Sequence, residues 1–194
     1  MKYGFGVDIG GTTIKIGLFS VDGDLMEKWE IPTNKTDNGK YILKEIADFI
    51  HSTIKEKNID KTDVLGVGLG VPGPVNKNGV VNGCVNLGWN AFNVEKEFNE
   101  ISGFSVKVGN DANVAALGEM WKGGGRGFDS IVMVTLGTGV GGGIILDGRI
   151  LTGTNGAGGE IGHIHIEDNE TEVCGCKNKG CLEQYASATG IARL

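Results

Sequence analysis

Short apolar runs broken by glycine turns open the chain. Residues 3–9 (YGFGVDI) and 14–21 (IKIGLFSV) each read as a strand, with the turn GGTT between them. Asp22-Gly23-Asp24 is a hairpin signal, and 25–31 follows as a third strand. From 39 to 57 the period changes. Ile42, Leu43, Ile46, Ala47, Phe49, Ile50 and Ile54 recur at helical spacing. Residues 64–71 form a buried strand running into Pro72-Gly73-Pro74, and a turn-rich stretch continues to about Phe92. A helix over 94–101, a strand over 105–109 and a helix over 111–121 are expected next. The glycines of KGGGRG then mark a domain junction, giving a first domain over 1–121 and the start of a second over 122–194.

The second part resembles the first. From Val7 and from Val134 the chain runs through an apolar strand, a Gly/Thr turn, a second strand and an Asp-Gly turn. The registers do not coincide, and any β-hairpin shares this order. The glycine loading of both turns points to two related half-domains, each offering a phosphate loop. At the other end, EQYASATGIARL stops within what reads as a helix, so part of a longer protein is expected to be missing.

Composition narrows the class. The 194 residues include 35 glycines, against a usual share of about 7%. They are not periodic, which excludes collagen, and they sit in turns where backbone can approach a ligand closely. The formal net charge of −6, with no lysine/arginine run, argues against a nucleic-acid surface. No signal peptide is recognised, and no stretch approaches the ~20 apolar residues of a membrane span, so no membrane partner and a cytoplasmic location are expected. In a reducing compartment clustered cysteines bind metal more often than they form disulfides.

Four constellations carry candidate chemistry. In DIGGTT, Gly10 and Gly11 let backbone amides converge on an anion, Thr12 and Thr13 add hydroxyls, and Asp8 can hold Mg²⁺ directly or through water. GTGVGGG, with Gly137, Thr138 and Gly139, makes the same case, although each turn also fits a tight hairpin. Neither matches a Walker loop or a Rossmann turn. Asn110 and Asp111 stand where a strand gives way to a helix, which suits either an N-cap or a general base. Cys174, Cys176 and Cys181 form C-x-C-x₄-C, and a histidine upstream completes a Cys₃His set suited to structural tetrahedral zinc. Spacing along HIHI does not choose between His163 and His165. Cys84 stands apart as a small core residue. Glu160 and Glu183 flank the cysteine loop, and a metal tie would bring them together as a clamp for polyol hydroxyls. Without that tie they read as solvated surface acids.

DIGGT, GND, LGTGVGGG, GGEIGH and CGCKNKGC-LE, in this order, resemble the ROK family (repressors, open reading frames and sugar kinases), specifically its bacterial glucokinases. The resemblance covers the whole chain. It implies an α/β, actin-like (ribonuclease H-like) two-domain sugar kinase fold with an incomplete second domain. It implies ATP-dependent phosphorylation of glucose at the 6-hydroxyl, with Asp111 as catalytic base. Gly73, Asn86, Asn110, Glu160, His163 and Glu183 match sugar contacts, and the zinc set falls on His163, Cys174, Cys176 and Cys181. ATP, Mg²⁺ and structural Zn²⁺ are the implied cofactors, a hexose and ATP the partners, and a homo-oligomer the assembly. Two alternatives stand beside it. One is a kinase for another hexose such as mannose or N-acetylmannosamine. The other is a sugar-binding regulator, which is expected to carry a helix-turn-helix ahead of the DIGGT-like segment, where this sequence has seven residues before Asp8.

Overall fold

The structure is a computed structural model describing residues 1–194. It divides into two compact units, Met1–Asp111 and Ala112–Leu194. In this division the helix following Asn110 packs with the second unit.

In chain order the first unit contains β1 (Tyr3–Ile9), β2 (Thr13–Ser20), β3 (Leu25–Pro32), a short turn α1 (Thr36–Gly39), α2 (Ile42–Glu56), β4 (Val64–Val71), β5 (Val80–Cys84), β6 (Trp89–Asn93), α3 (Val94–Ser102) and β7 (Val106–Asn110). Five of these strands form one sheet in the order β3-β2-β1-β4-β7. β1, β2 and β3 pair antiparallel, whereas β4 and β7 run parallel to β1. Strand alternation aims Phe5, Val7 and Ile9 of β1, and Ile14, Ile16 and Leu18 of β2, into one buried cluster. The helical stripe Ile42, Ile46 and Ile50 of α2 meets them there, joined by Val94 and Phe98 of α3. The opposite face is lined by glycine, and the ring of Phe19 occupies the space beside Gly17, where a Cβ would come within 2.6 Å of it.

The helix expected from residue 39 begins at Ile42. Gly39 has φ +71°, its carbonyl accepts a hydrogen bond from the Trp89 indole at 3.1 Å, and any Cβ there would crowd that ring. The stretch expected to be turn-rich holds the β5–β6 hairpin. Its signal is obscured because Asn82, Gly83, Asn90 and Asn93 interrupt the apolar positions.

The second unit carries α4 (Asp111–Lys122), β8 (Ile131–Leu136), β9 (Val140–Leu146), β10 (Arg149–Ile150), a 3₁₀ turn at Ile161–His163, α5 (Glu183–Ala186) and α6 (Ala188–Arg193). Its sheet has the order β10-β9-β8, antiparallel throughout. The sequence repeat is therefore a repeat of topology: a glycine turn joins β1 to β2 and β8 to β9, and a third antiparallel strand follows each pair. Glycines let the neighbours close on β9. A Cβ at Gly143 would meet Ala116 of α4 at 2.5 Å, and one at Gly142 would meet Ile161 at 2.7 Å. The terminal helix read from the sequence is broken in two. Ser187 takes an extended conformation (φ −77°, ψ 163°), and its hydroxyl accepts the Gly190 N–H at 2.9 Å as an N-cap of α6. No helix is long and apolar enough to cross a membrane.

Candidate functional site

Within the first unit the singled-out residues gather at one end of the sheet. β1, β4 and β7 are parallel neighbours, and their C-terminal ends lead into residues 10–13, Pro72-Gly73 and Asn110-Asp111. Loops at the carboxyl ends of parallel strands are the usual ligand-binding edge of α/β sheets. The 10–13 turn is tightly determined: Gly10 N–H donates to Thr13 O at 3.0 Å, and a Gly10 Cβ would lie 2.7 Å from that oxygen. Thr33 braces the turn, donating its hydroxyl to Gly10 O at 2.7 Å and its amide to Thr12 O at 2.9 Å. Sequence reading did not single out Thr33, because no local pattern links it to a turn so distant in the chain. Asn86 packs beside Gly11, where a Cβ would be 3.6 Å from its own. Asn110 donates its side-chain amide to Gly73 O at 3.2 Å, joining two of these loops. Asp8 is exposed on β1, and Asp111 is half-buried at the start of α4. Cys84 is a buried core residue whose thiol donates to Pro72 O at 2.8 Å. Burial pushes that thiol's pKa up, and the Asp111 charge adds a smaller push.

The second unit assembles the cysteine loop. One ligand atom each from His163, Cys174, Cys176 and Cys181 lies within 4.8 Å of the others. Cys176 Sγ and Cys181 Sγ are 3.5 Å apart, and Cys174 Sγ is 3.7 Å from His163 Nδ1. Tetrahedral zinc with bonds of ~2.1 Å to nitrogen and ~2.3 Å to sulfur has edges of about 3.6–3.8 Å, and these two separations are close to that, so the group could hold a metal ion. Burial, followed by its thiol neighbours, pushes Cys181 up to about 12 and raises Cys174 as well. At Cys176 burial opposes the thiolate, but the Asn178 amide and the other two thiols outweigh it and lower the pKa. A cation amid the three sulfurs would remove their mutual repulsion.

Geometry separates the two histidines. His163 ends the 3₁₀ turn and faces Cys174. His165 bridges Cys181 through backbone pairing, and its ring contacts Asp168 at 2.8 Å and Lys179 O at 2.9 Å. His163 belongs to the 3₁₀ turn and His165 to the extended segment that follows it, so the two do not lie on one strand.

The glutamates lie beside this set. Glu160 Oε2 is 3.9 Å from His163 Nε2, and the Cys174 thiol lies 3.6 Å from Glu183 Oε1. The other Glu183 oxygen accepts the Val140 N–H at 3.0 Å, so Glu183 also rests on the glycine turn between β8 and β9. A Cβ at Gly139 would overlap the Glu183 carboxylate. A polar clasp missed by sequence reading closes the loop from outside. Arg193 makes paired hydrogen bonds to Glu170 at 3.2 and 2.7 Å, the Tyr185 hydroxyl donates to Glu170 at 2.7 Å, and Gln184 links the Cys181 amide to Glu172 O. Arg193, then Tyr185, hold the Glu170 pKa down at about 2.

The ROK family model matches residues 4–194. The chain belongs to the ROK family. A glucokinase from Halalkalibacterium halodurans is 48% identical over 190 residues, which is 97% of this chain and 58% of that protein. The solved ROK family glucokinase from Streptomyces griseus, in complex with glucose and AMPPNP, superposes with a TM-score of 0.80 at 36% identity, covering 98% of this chain and 59% of that one. A ROK family transcriptional regulator, a homologue of the E. coli MLC protein, superposes with a TM-score of 0.85 at 28% identity, covering 98% and 48%. This ROK chain has the actin-like α/β fold of those sugar kinases, and it spans under three fifths of the length of each of the three.

Proposed function

We propose that this chain carries the hexose and phosphate elements of an ATP-dependent glucokinase, a phosphotransferase acting on the glucose 6-hydroxyl. The observation that carries the reading is the run of contacts from Glu160 through His163 and Cys174 to Glu183. It brings two acceptor carboxylates and an imidazole together, as recognition of a polyol requires. His163, Cys174, Cys176 and Cys181 would hold Zn²⁺, which contributes a structural tie and no reaction step. With Nδ1 turned to the metal site, His163 Nε2–H is left for a sugar hydroxyl or Glu160.

In the first unit Asn110 and Gly73 orient the sugar together with Asn86, and Asp111 accepts the 6-hydroxyl proton as the phosphoryl group transfers. A loose phosphoryl transition state asks the protein mainly to position groups and stabilise charge. Residues 10–13 and 137–139 offer amides and hydroxyls to the phosphates, and Asp8 would hold Mg²⁺ directly or through water. Glucokinase relatives, one of them solved with glucose and AMPPNP, support glucose and ATP as the substrates. A cytoplasmic homo-oligomer fits the reading.

A coupled assay for glucose 6-phosphate, run with wild type and Asp111→Ala, tests it. The variant should lose at least ~10²–10⁴-fold in turnover while glucose binding persists. Near-normal turnover would remove Asp111 from its role. The likeness to the ROK regulator supports a second reading, sugar binding without phosphoryl transfer. Glucose binding by a wild type with no turnover would favour it, and preferential binding of mannose or N-acetylmannosamine would change the sugar.

A further inference from the structure

Three ties connect the segment after Glu183 to the glycine turn between β8 and β9. Glu183 Oε2 accepts the Val140 N–H at 3.0 Å, the Ala188 N–H donates to Gly137 O at 2.8 Å, and the Thr189 hydroxyl donates to Thr138 O at 2.6 Å. Thr189 and Ser187 Oγ are 3.1 Å apart, and each hydroxyl has one proton to give. Thr189 spends its proton on Thr138, so Ser187 donates to Thr189 and accepts from Gly190. The result is a directed chain from the Gly190 N–H through two hydroxyls to the turn carbonyl. The chain is extended at Ser187, immediately ahead of Ala188 and Thr189, the two residues that bond the turn. Glycine at 139 is required by the same arrangement, since the Glu183 carboxylate fills the space of a side chain there.

From this geometry we propose that Thr189 is a positioning residue that couples sugar at Glu183 to the order of the 137–139 phosphate turn. One oxygen of Glu183 lies toward Cys174 on the sugar side, and the other is fixed to the turn. A hexose that immobilises the carboxylate therefore immobilises the Val140 amide, and Thr189 holds the far side of the turn still. The turn becomes ordered for a phosphoryl donor after the acceptor has bound. Such a link is reciprocal in binding free energy. The inference rests on the sugar reading of Glu183 above.

Hydrogen exchange over residues 137–140, with and without saturating glucose, tests it in wild type, Thr189→Val and Thr189→Ser. Glucose should slow exchange in wild type by about five-fold or more, the lower end of usual coupling. Thr189→Val should still bind glucose, with affinity within about five-fold of wild type, and lose most of that protection, and Thr189→Ser should keep it. Full protection in Thr189→Val, or loss in Thr189→Ser, overturns the coupling and leaves the sugar reading intact. A wild type that binds no glucose overturns the sugar reading and the coupling with it. Exchange across α5 and α6 in the unliganded variants checks that the helices remain formed.

Discussion

In residues 1–111 one apolar cluster runs from Phe5 to Val106 and is packed by strands and two helices. In residues 112–194 the buried apolar side chains are Ala116, Val140 and Ile145, together with the thiols of Cys174 and Cys181. The two units start from the same strand order, yet β1 is flanked on both sides whereas β8 is an edge strand with Val132, Val134 and Leu136 exposed. A unit with a thick core spreads its stability over many interchangeable contacts. The matched relatives are much longer than this chain, and what it contains of the second unit is tied by the Cys₃His set, the Arg193–Glu170 clasp and the bonds from 183–189 to the glycine turn. Single substitutions at those ties are the direct way to open it.

The largest test of that contrast is removal of the proposed metal tie. Chelation, or Cys181→Ser, should open the 152–182 region to protease and hydrogen exchange while residues 1–111 stay protected, because structural zinc contributes folding free energy outright. Equal protection of both units before and after would erase the contrast. Next comes Phe98→Ala, which empties a fully buried site in the first unit. It should cost about 3–5 kcal/mol in denaturant titration of that unit and leave the metal content unchanged. A smaller effect concerns acid. The folded pKa of Glu170 lies below its usual 4.5, at about 2, so the clasp's contribution is complete above pH 4.5 and fades only as pH falls towards 2. Carboxyl NMR should find Glu170 titrating near 2, and a midpoint near 4.5 would mean that Arg193 does not hold it.

How much was legible follows the same division. Strands 3–9 and 64–71 and helix 94–101 were readable because a core behind them enforces a simple period. The β5–β6 hairpin was not, since its apolar positions are interrupted by asparagine and glycine. In the second unit the cysteines and the repeated glycine turn were visible as motifs, but what surrounds them was not. Thr189 meets Thr138, and Arg193 meets Glu170, across long stretches of chain with no local pattern. Ser187 alone left a trace, a cap residue placed before ATG, which the helical reading of EQYASATGIARL passed over. Spacing left His163 and His165 equal and only the family resemblance chose His163; the 3₁₀ turn supplies the geometric reason, which strand alternation does not anticipate.

The central claim is that a metal-tied histidine segment holds the two glutamates in position to bind a hexose. Calorimetric titration of glucose into the zinc-loaded chain and into the same chain after chelation measures it most directly. Binding should be present in the first and weakened by at least ~10-fold in the second, the scale seen when the support around a liganded histidine is lost. Equal affinity in both would contradict the account.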